Sequence, residues 1–160
     1  MSALLDGVFD ADVVVVGGGI AGLATALACG DRRVAVLSKV PVSGHGAGGS
    51  SVWAQGGIAA AMGADDTPEL HAADTIAAGA GLVHDEAVTV LTREGPARLA
   101  ELLELGARFD RDGEGRLLLG REAAHGRRRI LHANGDATGA EVVRAMLAAV
   151  GEHERVRFHG

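Results

Sequence analysis

Short, nearly continuous apolar runs alternate along this chain with stretches in which apolar residues return every three or four positions, so strands and helices are expected in alternation. Asp12 to Val16 is β-branched and too short for a helix, and reads as a strand buried on both faces. An alanine-rich helix follows up to Ala28, and Arg33 to Leu37 reads as a second, parallel strand that completes a strand-helix-strand unit. Thr67 to Ala80 has helical spacing, with Thr67 as cap, Pro68 in the first turn and Leu70, Ala73, Ala77 and Ala80 on one face. Asp85 to Arg93 and Pro96 to Leu105 are predicted as two helices divided at Gly95 and stopped at Gly106, the second burying Leu99, Leu102 and Leu103. Ala107 to Leu119 has the pattern of a small hairpin turning at Asp112 to Gly115. Thr138 to Val150 is expected as a helix opened by a Thr138–Glu141 capping box. Val156 to Phe158 begins a strand over which no helix closes. The expectation is an α/β, Rossmann-like domain, a parallel sheet with flanking helices over residues 12–160, incomplete at the C-terminus and preceded by a tail, residues 1–11.

The length of 160 residues and the 48% hydrophobic content support a globular core. The net charge of −6 leaves no electrostatic footprint for nucleic acid, and Arg127, Arg128 and Arg129 form a basic run too short to change that. The single cysteine, Cys29, excludes an intramolecular disulfide and a cysteine-cluster metal site; it reads as packing at the end of the first helix. No basic segment precedes an apolar core at the N-terminus, and no apolar run reaches the ~20 residues that span a bilayer. A cytoplasmic protein without membrane or nucleic-acid partners is expected.

The chemistry is announced where the first strand ends. Gly17, Gly19 and Gly22 form a G-x-G-x-x-G pattern between a strand and a helix, the context in which it marks a dinucleotide-binding turn. The first glycine permits the turn, the second lets the backbone approach a pyrophosphate, and the third lets the helix pack closely; the helix N-terminus adds free N–H groups. Gly17, Gly18, Gly19, Ile20, Ala21 and Gly22 are therefore candidate cofactor contacts. Past the second strand, where a nicotinamide-binding fold offers an acidic residue to the ribose, this chain has Ser38 and Lys39, which leaves room for flavin adenine dinucleotide. The stretch from Val40 to Gly57 is a long glycine-rich loop that also carries Val52, Trp53 and then Ile58, and it reads as a binding loop.

With the opening turn, Ser38–Lys39 and SSVWAQGGIAA at Ser50 to Ala60, the chain resembles the succinate dehydrogenase, fumarate reductase and L-aspartate oxidase flavoproteins. AAGAGL at Ala77 to Leu82, REAAHGRRRILHA at Arg121 to Ala133 and GDATGAEV at Gly135 to Val142 make it similar to the N-terminal portion of the L-aspartate oxidase branch. The resemblance implies that Ser50, Ser51, Val52, Trp53, Ala54, Gln55, Gly56 and Gly57 wrap the pyrophosphate and isoalloxazine of FAD, with Lys39 on the adenosine side. Ser50 stands where the respiratory dehydrogenases carry a flavin-linked histidine, so the FAD is expected to be noncovalent. Glu122 is implied to orient the substrate amino group, and Ala123 and Ala124 replace glycines found in many relatives.

The implied reaction is oxidation of L-aspartate to iminoaspartate with O2 or fumarate as acceptor, the first step of de novo NAD biosynthesis, with quinolinate synthase taking the imine. The catalytic arginine of that family is expected beyond residue 160, so this chain alone should bind FAD weakly and not turn over. A succinate-oxidising flavoprotein or fumarate reductase, and a noncatalytic FAD-binding fragment, are the alternatives. His125 and His132 read as structural, since spacing assigns them no catalytic partner, and His71 with Asp74 is too small a set for a metal.

Overall fold

The structure is a computed structural model and describes residues 9–39, 49–122 and 124–160; the 40–48 part of the glycine-rich loop and Ala123 lie outside the described residues. The opening unit forms as its sequence pattern predicts. Strand β1 (Val13–Val16) leads into helix α1 (Ile20–Ala28), which returns the chain to strand β2 (Val34–Leu37), parallel to β1 in the register Val13 to Val34. After a 3-10 turn at Ser50–Trp53 come the two-residue strand β3 (Ile58–Ala59), helices α2 (Pro68–Ala78) and α3 (Asp85–Glu104), and strands β4 (Leu119–Gly120) and β5 (Ile130–Leu131). Helix α4 (Thr138–Gly151) then leads to β6 (Val156–His159).

Two small sheets result. One is parallel, in the order β1-β2-β6, and the other is antiparallel, in the order β3-β5-β4. Leu23 of α1, Leu99 of α3, Leu131 of β5 and Val143 of α4 share the main buried cluster; Val15, Ala26, Val34 and Val36 form a second between α1 and the parallel sheet. Cys29 caps α1 and is part-buried against that second cluster.

Five expectations are corrected. β1 is buried on one face only: it lies at the sheet edge, and among the described residues nothing covers Val14 and Val16, which are 57% and 84% exposed. The division at Gly95 is absent, because α3 runs unbroken through Gly95 and Pro96. Proline's φ is helical and its ring removes one N–H, while the buried positions Val88, Thr92 and Leu99 keep helical phase across it, so packing holds the two halves as one. Its C-terminus is closed as expected at Gly106 (φ 84°), where the Gly106 and Ala107 N–H groups donate to Leu103 and Leu102.

Helix α2 buries a different face from the one predicted. Thr67 does cap it, accepting from the Leu70 N–H at 3.2 Å, but Leu70 is exposed and His71 is the buried residue. Nor does Thr138 cap α4: Ala137 holds that position, Thr138 Oγ1 accepts from the Ala133 N–H, and Glu141 turns to other partners. Finally, Arg129 is not part of a solvated basic run, since its side chain is wholly buried.

Candidate functional site

The site begins at the carboxyl edge of the parallel sheet. Gly17 leaves β1 at φ 114°, a conformation reserved for glycine, and its N–H donates to the Leu37 carbonyl at 2.8 Å, which holds the turn beside the end of β2. Gly22 has no alternative either, since a Cβ there would lie 1.8 Å from the Gly17 carbonyl oxygen. Gly18 is buried, Ala21 is exposed, and α1 begins after Gly19, which has no side chain of its own to cap the helix. The leading N–H groups of a helix without such a cap carry a partial positive charge suited to an anion.

The second glycine loop comes to the same place. The Ile20 N–H donates to Ser51 Oγ at 3.5 Å, joining residues 31 positions apart. Val52 packs on the main core, while Trp53 stands 80% exposed and Gln55 donates to Asp136 at 3.3 Å. The 3-10 turn is gripped from behind by α4, whose Gly139 N–H donates to the Ala54 carbonyl at 2.9 Å. A Cβ on Gly139 would lie 2.1 Å from the Ser51 carbonyl oxygen, so this glycine belongs to the site's scaffold; only its place in the GDATGAEV motif hinted at that. Ser50 and Gly56 are exposed, and a Cβ on Gly17 or Gly56 would meet nothing within 4 Å. Gly57 differs, because a Cβ there would strike Ile130 at 2.2 Å; its smallness serves the β3–β5 contact. Ser38 donates its N–H to His159 at 2.8 Å beside the end of β1, and Lys39 follows it, exposed.

Open space at glycines, the leading N–H groups of α1 and the Ser51 hydroxyl beside them make a cradle that fits a pyrophosphate-bearing cofactor.

A second feature is built from charge. Arg129 donates to both Asp66 oxygens at 2.8 Å and to Asp74 at 2.8 Å, with the Arg129 and Asp66 side chains both at 0% exposure. Asp74 also accepts the Gly126 N–H at 2.6 Å, and that bond, ahead of Arg129 itself, holds its carboxyl below the usual range. Burial alone would lower the Arg129 value, but Asp66 and Asp74 keep it above the ordinary one. The His71 ring lies 5.7 Å from that of His125, and its Nδ1 has no hydrogen-bond partner among the described residues. Burial, then the positive charge of Arg129, pushes His71 below its ordinary value. Among the described residues no group of His, Cys, Asp and Glu could hold a metal.

This charged hub ties the Arg121–Arg129 segment to α2 and so fixes the base of the loop that carries Glu122. Glu122 is exposed, and its Oε1 lies 3.2 Å from His132 Nε2. His132, read from the sequence as structural, thus has a carboxylate partner that spacing did not reveal.

A strand-turn-helix with these glycines, open to a ligand at the carboxyl edge of a parallel sheet, defines a dinucleotide-binding α/β domain. Comparison with known proteins narrows the class. The FAD binding domain family matches residues 12–160. The L-aspartate oxidase of Streptomyces coelicolor is 53% identical over 142 residues, 88% of this chain and 24% of that protein. The L-aspartate oxidase of Mycobacterium tuberculosis is 49% identical over 144 residues, 88% of this chain and 27% of that one. Among solved structures, Mycobacterium smegmatis Sdh1 superimposes with a TM-score of 0.79 at 32% identity, covering 92% of this chain and 27% of its own. E. coli quinol fumarate reductase gives a TM-score of 0.81 at 28% identity, covering 94% and 26%.

The chain belongs to the FAD-binding domain family of the succinate dehydrogenase, fumarate reductase and aspartate oxidase flavoproteins, and FAD is its cofactor. It spans about a quarter of the length of the curated relatives it matches. No helix of the described residues is long and apolar enough to cross a membrane.

Proposed function

We propose that this chain is the FAD-binding part of an L-aspartate oxidase, which oxidises L-aspartate to iminoaspartate with O2 or fumarate as acceptor and so opens de novo NAD biosynthesis. The observation that carries the reading is the place of Glu122. Its carboxylate meets His132, whose ring lies against Gly57 at the end of the glycine loop, so a negative charge stands beside the cofactor cradle. A carboxylate there pairs with a substrate ammonium and repels a further carboxylate, which favours an amino acid over a plain dicarboxylate. The 53% identity to the Streptomyces oxidase, against 32% and 28% to the dehydrogenase and reductase structures, supports the same branch.

FAD, when bound, supplies the two-electron acceptor for the substrate. The chain's own residues bind and orient. The Gly17–Gly22 turn and the first N–H groups of α1 receive the pyrophosphate; Ser38 and Lys39 serve the adenosine side; Ser50 to Gly57 line the flavin with hydroxyl and backbone donors. Ser50 has no imidazole with which to link the ring, so the cofactor is held noncovalently. Quinolinate synthase is the proposed recipient of the labile imine, and a cytoplasmic location follows from that role.

The test is anaerobic mixing of the flavin-loaded, full-length protein with L-aspartate and, separately, with succinate, followed by the oxidised flavin absorbance. Bleaching by L-aspartate alone is expected. Bleaching by succinate alone would move the protein to the dehydrogenase branch, a reading favoured by the TM-scores of 0.79 and 0.81. Bleaching by neither would leave a noncatalytic FAD-binding module.

A further inference from the structure

We propose that His132 is a positioning residue for substrate recognition: its imidazole sets the Glu122 carboxylate that reads the substrate amino group. The inference rests on the Glu122 reading above. His132 follows β5 directly, and its carbonyl accepts the Asp110 N–H at 2.8 Å, so its backbone is held at the strand end. The ring lies between two glycines on the neighbouring strands. A Cβ on Gly57 would come within 2.9 Å of Nε2, and one on Gly120 within 3.6 Å of Cε1. A side chain at Gly57 would displace the imidazole, whereas a Cβ at Gly120 would meet it at ordinary van der Waals distance. Neighbouring segments thus build a slot for this ring and set Nε2 3.2 Å from Glu122 Oε1, an ion-pair distance.

The slot matters because Glu122 is otherwise unrestrained. Its side chain is 57% exposed, against 30% for His132, and a free glutamate samples many rotamers. The contact at Oε1 narrows the rotamers open to Glu122 and leaves Oε2 without a partner among the described residues and available to an ammonium. His132 also lines a cavity of about 260 Å³ with Asp110, Leu118, Gly120 and Gly135.

The experiment uses the full-length, FAD-loaded protein with His132→Ala, His132→Gln, Glu122→Gln and the Ala–Gln double variant, reading KM and kcat for L-aspartate and the dissociation constant for FAD. The loss of this contact, which frees the Glu122 carboxylate, predicts a KM roughly tenfold higher in His132→Ala, with kcat and FAD affinity within about threefold of the parent. His132→Gln, whose amide nitrogen falls near the Nε2 position, should restore KM to within about threefold, and His132→Ala should add less than about twofold to Glu122→Gln. An unchanged KM in His132→Ala, or a full tenfold addition on top of Glu122→Gln, overturns the proposal. So does a parallel loss of KM and FAD affinity, which marks a purely structural histidine. If His132→Ala does not fold, His132→Gln against His132→Asn decides, because asparagine reaches only the Nδ1 position and should fail where glutamine succeeds. A Glu122→Gln variant with unaltered KM sinks the Glu122 reading itself, an outcome distinct from one in which only the His132 variants are silent.

Discussion

The cofactor cradle at the end of the parallel sheet and the Arg129 hub that joins α2 to the segment before β5 are built on opposite principles. In the cradle the polar groups are held loosely or left open: the first N–H of α1 meets the Ser51 hydroxyl at 3.5 Å, Trp53 is 80% exposed, and Gly17 and Gly56 face open space. In the hub every charge is matched, with Arg129 bonded to both oxygens of a fully buried Asp66 and to Asp74. The first arrangement stores binding capacity in backbone polarity and empty volume. The second holds a loop still by making any departure expose or orphan a buried charge. The two serve different ends: open backbone polarity can admit a cofactor, while matched buried charge keeps the surrounding segments in place.

The largest effect that would break this contrast is at the hub. Arg129→Met leaves the Asp66 carboxylate buried without its partner and is expected to lower stability by about 3–5 kcal/mol, read by urea unfolding of the flavin-free protein. A change below 1 kcal/mol would mean that the hub is not what holds the loop. Next, Gly22→Ala drives a Cβ against the Gly17 carbonyl oxygen and is expected to lower stability by about 1–3 kcal/mol. The rise in Tm that FAD gives the parent should vanish in that variant.

Acidification gives a smaller effect. His71 titrates below its ordinary 6.5 in the folded chain, because it is buried and faces Arg129 and His125, with Asp66 and Asp74 opposing them in part. The unfolded chain therefore takes up the proton first, so the stability due to neutral His71 is complete above 6.5 and declines as the pH falls below it. Tm measured from pH 7.5 to 5 should fall less steeply in His71→Leu than in the parent, and equal slopes would exclude His71 as the titrating group. The smallest expected effect sharpens the comparison most. Gly56→Ala adds a methyl where the protein has nothing within 4 Å, so stability should stay within about 0.5 kcal/mol while FAD binds more weakly. Unaltered FAD affinity would remove Gly56 from the cradle.

The cradle was far easier to read from the chain than the hub. Gly17, Gly19 and Gly22 sit within one turn of a strand and a helix, so local backbone constraints alone dictate their spacing, and β1, α1 and β2 form where the apolar pattern puts them. The hub joins residues 55 and 63 positions apart, and nothing in the spelling of Arg127, Arg128 and Arg129 says which arginine turns inward. The same long-range pairing explains why α2 presents His71 and not Leu70 to the interior. Glu141 misled for a related reason. Its capping-box spacing is genuine, but the Arg108 N–H at 2.6 Å and Arg144 at 2.7 Å claim the carboxylate, and their bonds hold it below the usual range. Pro96 shows the reverse, a strong local stop signal overridden because both flanking segments bury the same stripe.

The close seat of Gly139 against the Ser50–Trp53 turn has a kinetic consequence. With the Ala54 carbonyl bonded to α4 and no room for even one methyl group between them, this part of the flavin loop is already in register before any ligand arrives. Association of FAD then pays little ordering entropy at this turn, and its on-rate should be governed by encounter and orientation rather than by the folding of a flap. A Gly139→Ala chain would reverse that order of events, and stopped-flow flavin uptake would acquire a slow, concentration-independent phase that the parent lacks.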